Sequence, residues 1–389
     1  MVGPWPGAPY PAAMRPLGLI VLVLALAGCS REVAGSPSTP PGPPSTAAAT
    51  APAERITTAA PETNTTAAPT TTTRAQLPPI SIVVAGDTSF THGLDQRDPL
   101  GDIATVLADG DLTIVNLETT VAETEVGAPV DKVYTFKSPP ITAQILAAAG
   151  VDMAALANNH ALDYGTEAVL RTIEILEQAG LAAAGTGPDP ATAYAGTRLR
   201  VHGWRVAVLS FTRVPCDRPE PGETFIPEIA WACPQFAGAT VDAVAAAADG
   251  ADLVVVMAHW GIERQACPDS HQRDLASTWI EAGADMVVGS HPHVLQGVQR
   301  IDDAWVLYST GNFAFPSARE ASSYTAVFRF DVTESGTTLT ATPVRIVDGR
   351  PVVAEASQQG ILDDLTTRSF GIAFDPDGLA SPTSQPGAC

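Results

Sequence analysis

Five apolar, β-rich runs in this chain each stop at polar residues of metal-binding type, and this recurrence constrains the fold most. Residues 80–85 pass into Gly86-Asp87, and residues 111–117 end at Glu118. Residues 151–156 lead into Ala157-Asn158-Asn159-His160, and 252–257 into Ala258-His259. Asp285-Met286-Val287-Val288 runs into Gly289-Ser290-His291-Pro292-His293. Short runs rich in Val and Ile read as strands. Open α/β sheets bind ligands beyond the carboxyl ends of their strands, so a fold that aligns these ends also gathers these side chains. Singly, each residue has an ordinary alternative. Asp87 could form a turn, Glu118 could be a partnered or exposed carboxylate, and Asn159 and His160 could serve as turn and cap groups. His259 could be a hydrogen-bonded core histidine, and His291 with His293 a surface pair. Repetition at strand ends favours one shared site.

Helical patterns separate the strands of the front half. One starts near Ser138-Pro139 and stops at Gly150. A second, at 166–179, is amphipathic through Val169, Ile173 and Leu176 and ends at Gly180. Others are expected at 241–248 and 270–282. The back half is mainly strands, at 305–309, 324–332 and 337–347, and 199–212 reads as a strand pair turning at Gly203. Alternation followed by strands predicts an α/β sandwich with mixed sheets.

The chain has 389 residues, but its ends differ in character from its middle. Arg15 precedes an apolar run from Leu17 to Ala27, shorter than the roughly 20 residues needed to span a bilayer. It closes on Leu26-Ala27-Gly28-Cys29-Ser30, a lipobox-like sequence, so residues 1–28 are expected to be a lipoprotein signal and Cys29 the acylated residue. Met1 and Met14 are both candidate starts. Residues 29–77 are dominated by Pro, Thr, Ser and Ala, a composition expected of a disordered tether. The folded domain is expected at 78–375, with a flexible tail at 376–389. Together these place the chain outside the cell, anchored to the outer face of the cytoplasmic membrane. Export favours disulfides among Cys216, Cys233, Cys267 and Cys389, with three possible connectivities. Cys216 with Cys233 is favoured because both flank one Pro-rich loop, and the terminal Cys389 is a candidate free thiol. The net charge of -21 argues against nucleic acid as a partner. It also makes a polyanion hard to hold unless metal ions or local basic residues offset it.

The ligand types define the chemistry. Asp87, Glu118, Asn159, His259, His291 and His293 combine carboxylate, amide and imidazole without thiolate, a set suited to divalent Mn, Fe or Zn, up to two ions. A bound ion can acidify water and hold an oxyanion. His160 is the candidate proton donor, with Asp163 placed to orient it. Glu263 lies near His259 as a candidate hydrogen-bonding partner.

The same blocks carry a family resemblance. Gly86-Asp87, Asn116-Leu117-Glu118, Ala157-Asn158-Asn159-His160 with Asp163-Tyr164-Gly165, His259-Trp260-Gly261 with Glu263, Gly289-Ser290-His291-Pro292-His293-Val294-Leu295-Gln296 and Tyr308-Ser309-Thr310-Gly311-Asn312-Phe313 occur in order. They resemble the capsule synthesis protein CapA family, linked to poly-γ-glutamate synthesis and export. That family is similar to calcineurin-like metallophosphoesterases. The resemblance implies a four-layer αββα sandwich, metal roles for the six residues above, an acid role for His160 and a turn near the site at Asn312. It further implies a polymer ligase and membrane export subunits as partners, and an anionic polymer or oxyanion as substrate. The alternatives are a metal-dependent hydrolase of phosphoesters or polymer amide bonds, and a binding protein without catalysis. Two departures stand out. Asp87-Thr88-Ser89 replaces the phosphoesterase Asp-x-His, removing one ligand, and Glu118 stands where a bridging Asp is usual.

Overall fold

The computed structural model describes residues 56–58, 76–91, 99–216, 228–316 and 320–389. The expected signal, both candidate starts, Cys29 and most of the 29–77 stretch lie outside the described residues. Two seven-stranded sheets carry the architecture. The first runs Arg350–Val353, Gly336–Val347, Tyr324–Thr333, Ile80–Thr88, Leu112–Leu117, Met153–Ala155, Ala182–Ala184. Its last four strands are parallel, and the others join them antiparallel. The second runs Ile56–Thr58, Thr197–Val201, Trp204–Thr212, Leu253–His259, Met286–Ser290, Ala304–Leu307, Val298–Ile301. Its parallel centre comprises Trp204–Thr212 through Ala304–Leu307.

The parallel strands are apolar along their length because both faces are covered. Ile82, Val84, Ile114 and Phe328 of one sheet pack against Val208, Val255, Val288 and Leu307 of the other in a single core. The outer face of the first sheet is covered by the helices Ile103–Ala108, Ile141–Ala148 and Gly165–Gln178. The helices Ala237–Ala248 and Ser270–Glu281 cover the second. The result is a four-layer αββα sandwich with mixed sheets. Helix Gly165–Gln178 buries Ala168, Val169, Thr172, Ile175 and Leu176, a three-to-four residue spacing. Helix Ser270–Glu281 starts at a reciprocal cap, in which Asp269 accepts from the Gln272 amide and Gln272 accepts from the Asp269 amide.

Four aspartates repeat one device at the amino ends of the parallel strands. Asp111, Asp152, Asp252 and Asp285 each give an N–H to a carbonyl on the neighbouring strand. Each carboxylate in return accepts that residue's N–H, from Ser81, Thr113, Arg205 and Val254 at 2.7–2.9 Å. These carboxylates are structural, and the opposite edge of the sheets is left to carry the site.

Three regions differ from the sequence expectation. Within the expected tether, Ile56–Thr58 forms a short strand against Thr197–Val201. The tail expected to be flexible is ordered: Ala380–Pro382 pairs with Ile372–Phe374, and the Ala388 amide donates to the Thr367 carbonyl. Cys389 is not free but bonded to Cys267, alongside the Cys216–Cys233 bridge. The composition of the tail hid both contacts, because its backbone is held by pairing and a crosslink rather than by apolar burial.

Candidate metal centre

The carboxyl ends of parallel strands from both sheets meet at one place. Asp87 stands level with Asn116 in one sheet, and His259 with Ser290 in the other. The segment after Ala304–Leu307 joins the two sheets. The Asp87 amide donates to the Gly311 carbonyl at 3.0 Å, the Phe313 amide donates to the Asp87 carbonyl at 2.8 Å, and Asp87 bridges to Asn312. Gly86 allows this approach, since a Cβ there would fall on the Gly311 carbonyl oxygen.

All six expected ligands line this junction, although they span residues 87 to 293. Three imidazoles surround Glu118 Oε1: His259 Nε2 at 3.5 Å, and His160 Nε2 and His293 Nε2 each at 3.9 Å. Glu118 is fully buried, yet neither of its oxygens has a hydrogen-bond partner, and His291 Nδ1 is buried without one as well. Buried polar atoms are normally satisfied, so this concentration of exceptions marks a place suited to a cation. Among the described residues, Glu118, His291 and His293 form a group whose ligand atoms lie within 4.8 Å of one another. The residues therefore fit a divalent ion.

The backbone is bent to achieve this. His291 and His293 have φ values of 92° and 57°, in a region that residues with a side chain seldom occupy. Such conformations cluster at functional sites. The His291 amide points at the Asp87 carboxylate, at 3.2 and 3.4 Å. Asp87 Oδ2 also lies 3.1 Å from His293 Nδ1, and Asn312 Oδ1 lies 2.8 Å from the same nitrogen. Asn312 thus contacts a ligand candidate directly.

His160 sits at the rim of this group. Its Nδ1 is 2.6 Å from Asp163 Oδ2, and Phe136 stacks on its ring with centroids 3.9 Å apart. Asp163 also accepts from the Phe136 amide at 2.6 Å and from Lys132 Nζ at 3.2 Å. Of the adjacent amides, Asn158 is structural: it donates to the Leu117 carbonyl and accepts from the His160 amide. Asn159 turns inward, with Oδ1 2.7 Å from His259 Nε2.

Burial dominates the electrostatics. It pushes Glu118 well above the usual carboxylate range, with the nearby Asp87 charge adding to the effect. It holds His259 and His291 well below the ordinary imidazole value, reinforced by neighbouring rings. His293 goes the other way. Burial opposes its charge, but the Glu118 and Asp87 carboxylates outweigh this and raise it to about 10. The site therefore favours positive charge. Burial also lowers His160, partly offset by Asp163, so near neutral pH its Nε2 accepts a proton before it can donate one.

Glu263 is not brought to His259. It is exposed and lies 3.5 Å from Arg264, while His259 Nδ1 faces Ser290 Oγ at 3.1 Å and Asn116 Nδ2 at 3.3 Å. Sequence reasoning missed Asn116, whose amide also donates to Asp87 Oδ1 at 2.8 Å. It sits two residues before Glu118, on the same side of an alternating strand, and that period of two was the available signal. Lys132 and Phe136 had no such signal, because they come from a loop outside any strand end.

A family model described as bacterial capsule synthesis protein PGA_cap matches residues 79–317. The chain is 32% identical over 232 residues to the capsule biosynthesis protein CapA of Bacillus anthracis, covering 58% of this chain and 56% of that protein. It is 31% identical over 229 residues to the PGA biosynthesis protein CapA of Bacillus subtilis, covering 55% and 56%. The chain thus spans little more than half the length of these relatives. Among solved structures, a novel phosphatase from Mycoplasma pneumoniae is similar with a TM-score of 0.46 and 12% identity, over 69% of this chain and 94% of that one. The match to the family model takes in every strand end that contributes to the junction, and the chain belongs to the bacterial capsule synthesis protein family PGA_cap.

Proposed function

We propose that this chain is an exported, lipid-anchored protein of envelope-polymer synthesis or export, acting on poly-γ-glutamate or a related anionic polymer through a divalent-metal centre at Glu118. One observation carries the metal reading: a fully buried carboxylate with no hydrogen-bond partner on either oxygen. Such a group is costly unless a cation compensates it. Family membership supports the polymer, whose synthesis the relatives' names describe. A membrane-bound polymer ligase and export subunits are the corresponding partners.

Glu118, His291 and His293 hold the ion, with Asp87, Asn159 and His259 around them. A bound ion supplies Lewis acidity, acidified water and charge compensation for an anionic group. Asp87 and Asn312 fix the His293 ring. Asp163, Phe136 and Lys132 hold His160 so that Nε2 faces the Glu118 side, where it can take up a proton and return it to a leaving group. This His160–Asp163 pair favours hydrolysis of a phosphoester or polymer amide bond over binding alone.

Three measurements test the proposal. A strain carrying only Glu118→Gln should lose surface polymer while keeping normal protein levels, and unchanged polymer would refute the role of the site. His160→Ala should retain metal and lose turnover of model phosphoesters or glutamyl peptides. Equal loss of both would remove its proton role. Cys29→Ser should move the protein from the membrane fraction to the soluble fraction. Continued membrane retention would end the anchor reading.

A further inference from the structure

The turn that carries His291 and His293 depends on outside support. Both residues hold left-handed backbone, which persists only where the surroundings over-determine it. Within the metal-centre reading above, we infer that the Cys267–Cys389 crosslink is a positioning element of that centre. It closes a strap around residues 291–298 and so holds the two imidazoles in place.

Two walls support this segment. On one side, the Arg264 amide donates to the Pro292 carbonyl at 2.8 Å, between the two histidines. Gln296 Nε2 donates to the Gln265 carbonyl at 2.8 Å, and Gln265 Nε2 donates to the Cys267 carbonyl at 2.8 Å. On the other side lies the end of helix Gln358–Arg368. Arg368 donates to the Leu295 carbonyl at 2.7 Å, and the Val298 amide donates to Ser369 Oγ at 2.9 Å. Contact there is tight, since a Cβ on Gly297 would fall on the Arg368 carbonyl oxygen.

The first wall has little rigidity of its own. Residues 261–268 form neither helix nor strand, and Ile262, Glu263 and Arg264 are exposed. The tail joins this wall to the second. The Thr383 amide donates to the Gly371 carbonyl at 2.9 Å, the Ala388 amide donates to the Thr367 carbonyl at 2.6 Å, and Cys389 then bonds to Cys267. None of residues 383–389 is buried, so the tail adds nothing to the core. Its contribution is the link. With it, the two walls and the histidine turn form one closed ring. Without it, residues 261–268 can move away from Pro292, and the left-handed conformations lose a support.

Amide hydrogen exchange on the full chain, oxidised and stripped with chelator, reads the turn directly. Calorimetric titration with Mn²⁺ reads the centre. Cys389→Ser should speed exchange across residues 291–298 and weaken Mn²⁺ binding about 10-fold. Arg368→Met keeps the crosslink but removes the Leu295 contact, and should speed exchange over residues 295–298. Asp285→Ala loosens the fold from the opposite edge of the sheet and should change neither reading, which separates positioning from general destabilisation. Parent values in Cys389→Ser, or equal effects of Asp285→Ala and Cys389→Ser, would overturn the inference and leave the metal centre standing. No Mn²⁺ bound to the parent protein would overturn the metal-centre reading and this inference with it. Should Cys389→Ser fail to fold, unchanged exchange in Arg368→Met would still overturn the strap.

Discussion

At the scale of single residues, Glu118 shows how a buried group becomes informative through what it lacks. Its side chain is enclosed as completely as any leucine of the core, yet its oxygens have no hydrogen-bond partner. A carboxylate in that position was placed there by a strand end, not by local propensity. Gly86 is the complementary case, because its value is the absence of a side chain. Gly86→Ala would drive a methyl group into the Gly311 carbonyl and disturb the Asp87–Gly311 bond. The expected cost is about 2 kcal/mol, typical of overpacking, together with weaker metal binding. Urea unfolding of the two proteins checks the first, and metal titration the second. Unchanged values in both would contradict the close approach.

At the scale of elements, the sheets carry carboxylates at both ends with opposite duties. The aspartates at the amino ends register neighbouring strands, whereas Asp87 and Glu118 at the carboxyl ends build the site. Asp285→Ala would leave the buried Val254 N–H without its carboxylate. The expected loss is about 1–3 kcal/mol of stability, with metal stoichiometry unchanged. A change in stoichiometry would mean that the two edges are coupled. Helix Gly165–Gln178 is tied to the chain after Thr120–Val121 by a paired contact of Arg171 with both Glu123 oxygens, at 2.6 and 3.0 Å. The Arg171 hydrogen bonds depress Glu123 from 4.5 to about 2. A carboxylate depressed by folding adds stability above its unfolded value and loses it as the pH falls through the folded one. The stability gap between the parent and Glu123→Gln should therefore be full at pH 6 and close as the pH falls from about 4.5 toward 2. A constant gap in urea midpoints across that range would show that the pair contributes no pH-dependent stability.

At the scale of the whole molecule, two crosslinks secure the second half of the chain. Cys267–Cys389 spans 122 residues and Cys216–Cys233 spans 17. Closing a longer loop removes more entropy from the unfolded chain, so Cys389→Ser should cost more than Cys233→Ser, about 5 kcal/mol against about 3. Denaturant unfolding of both variants checks the order, and the reverse order would mean that native contacts around Cys233 outweigh loop length. The ordered tail follows from the same crosslink. It returns a segment rich in Pro and Ser to the domain, where Thr367 and Ile372–Phe374 hold its backbone.

The strands that lead to the junction and the helices at 165–178 and 270–281 were legible in the sequence, because apolar runs and helical spacing are local signals, whereas short strands such as Ala182–Ala184 and Arg350–Val353 were not. The same holds for Asp87, Glu118, Asn159, His259, His291 and His293, since each sits at the end of such a run. The helix Gln358–Arg368 was not read, because its apolar residues Ile361, Leu362 and Leu365 are few and lie among polar ones. Tertiary structure alone decided which donor atoms remain open. Lys132 and Phe136 reach the junction from a loop, so no local pattern marks them, and for Asn116 only the strand's period of two did. The left-handed backbone at His291 and His293, and the burial of Glu118 without a partner, arise only when two sheets close on each other. A sequence records where side chains of the right type occur. Their protonation, orientation and commitment depend on neighbours far away in the chain.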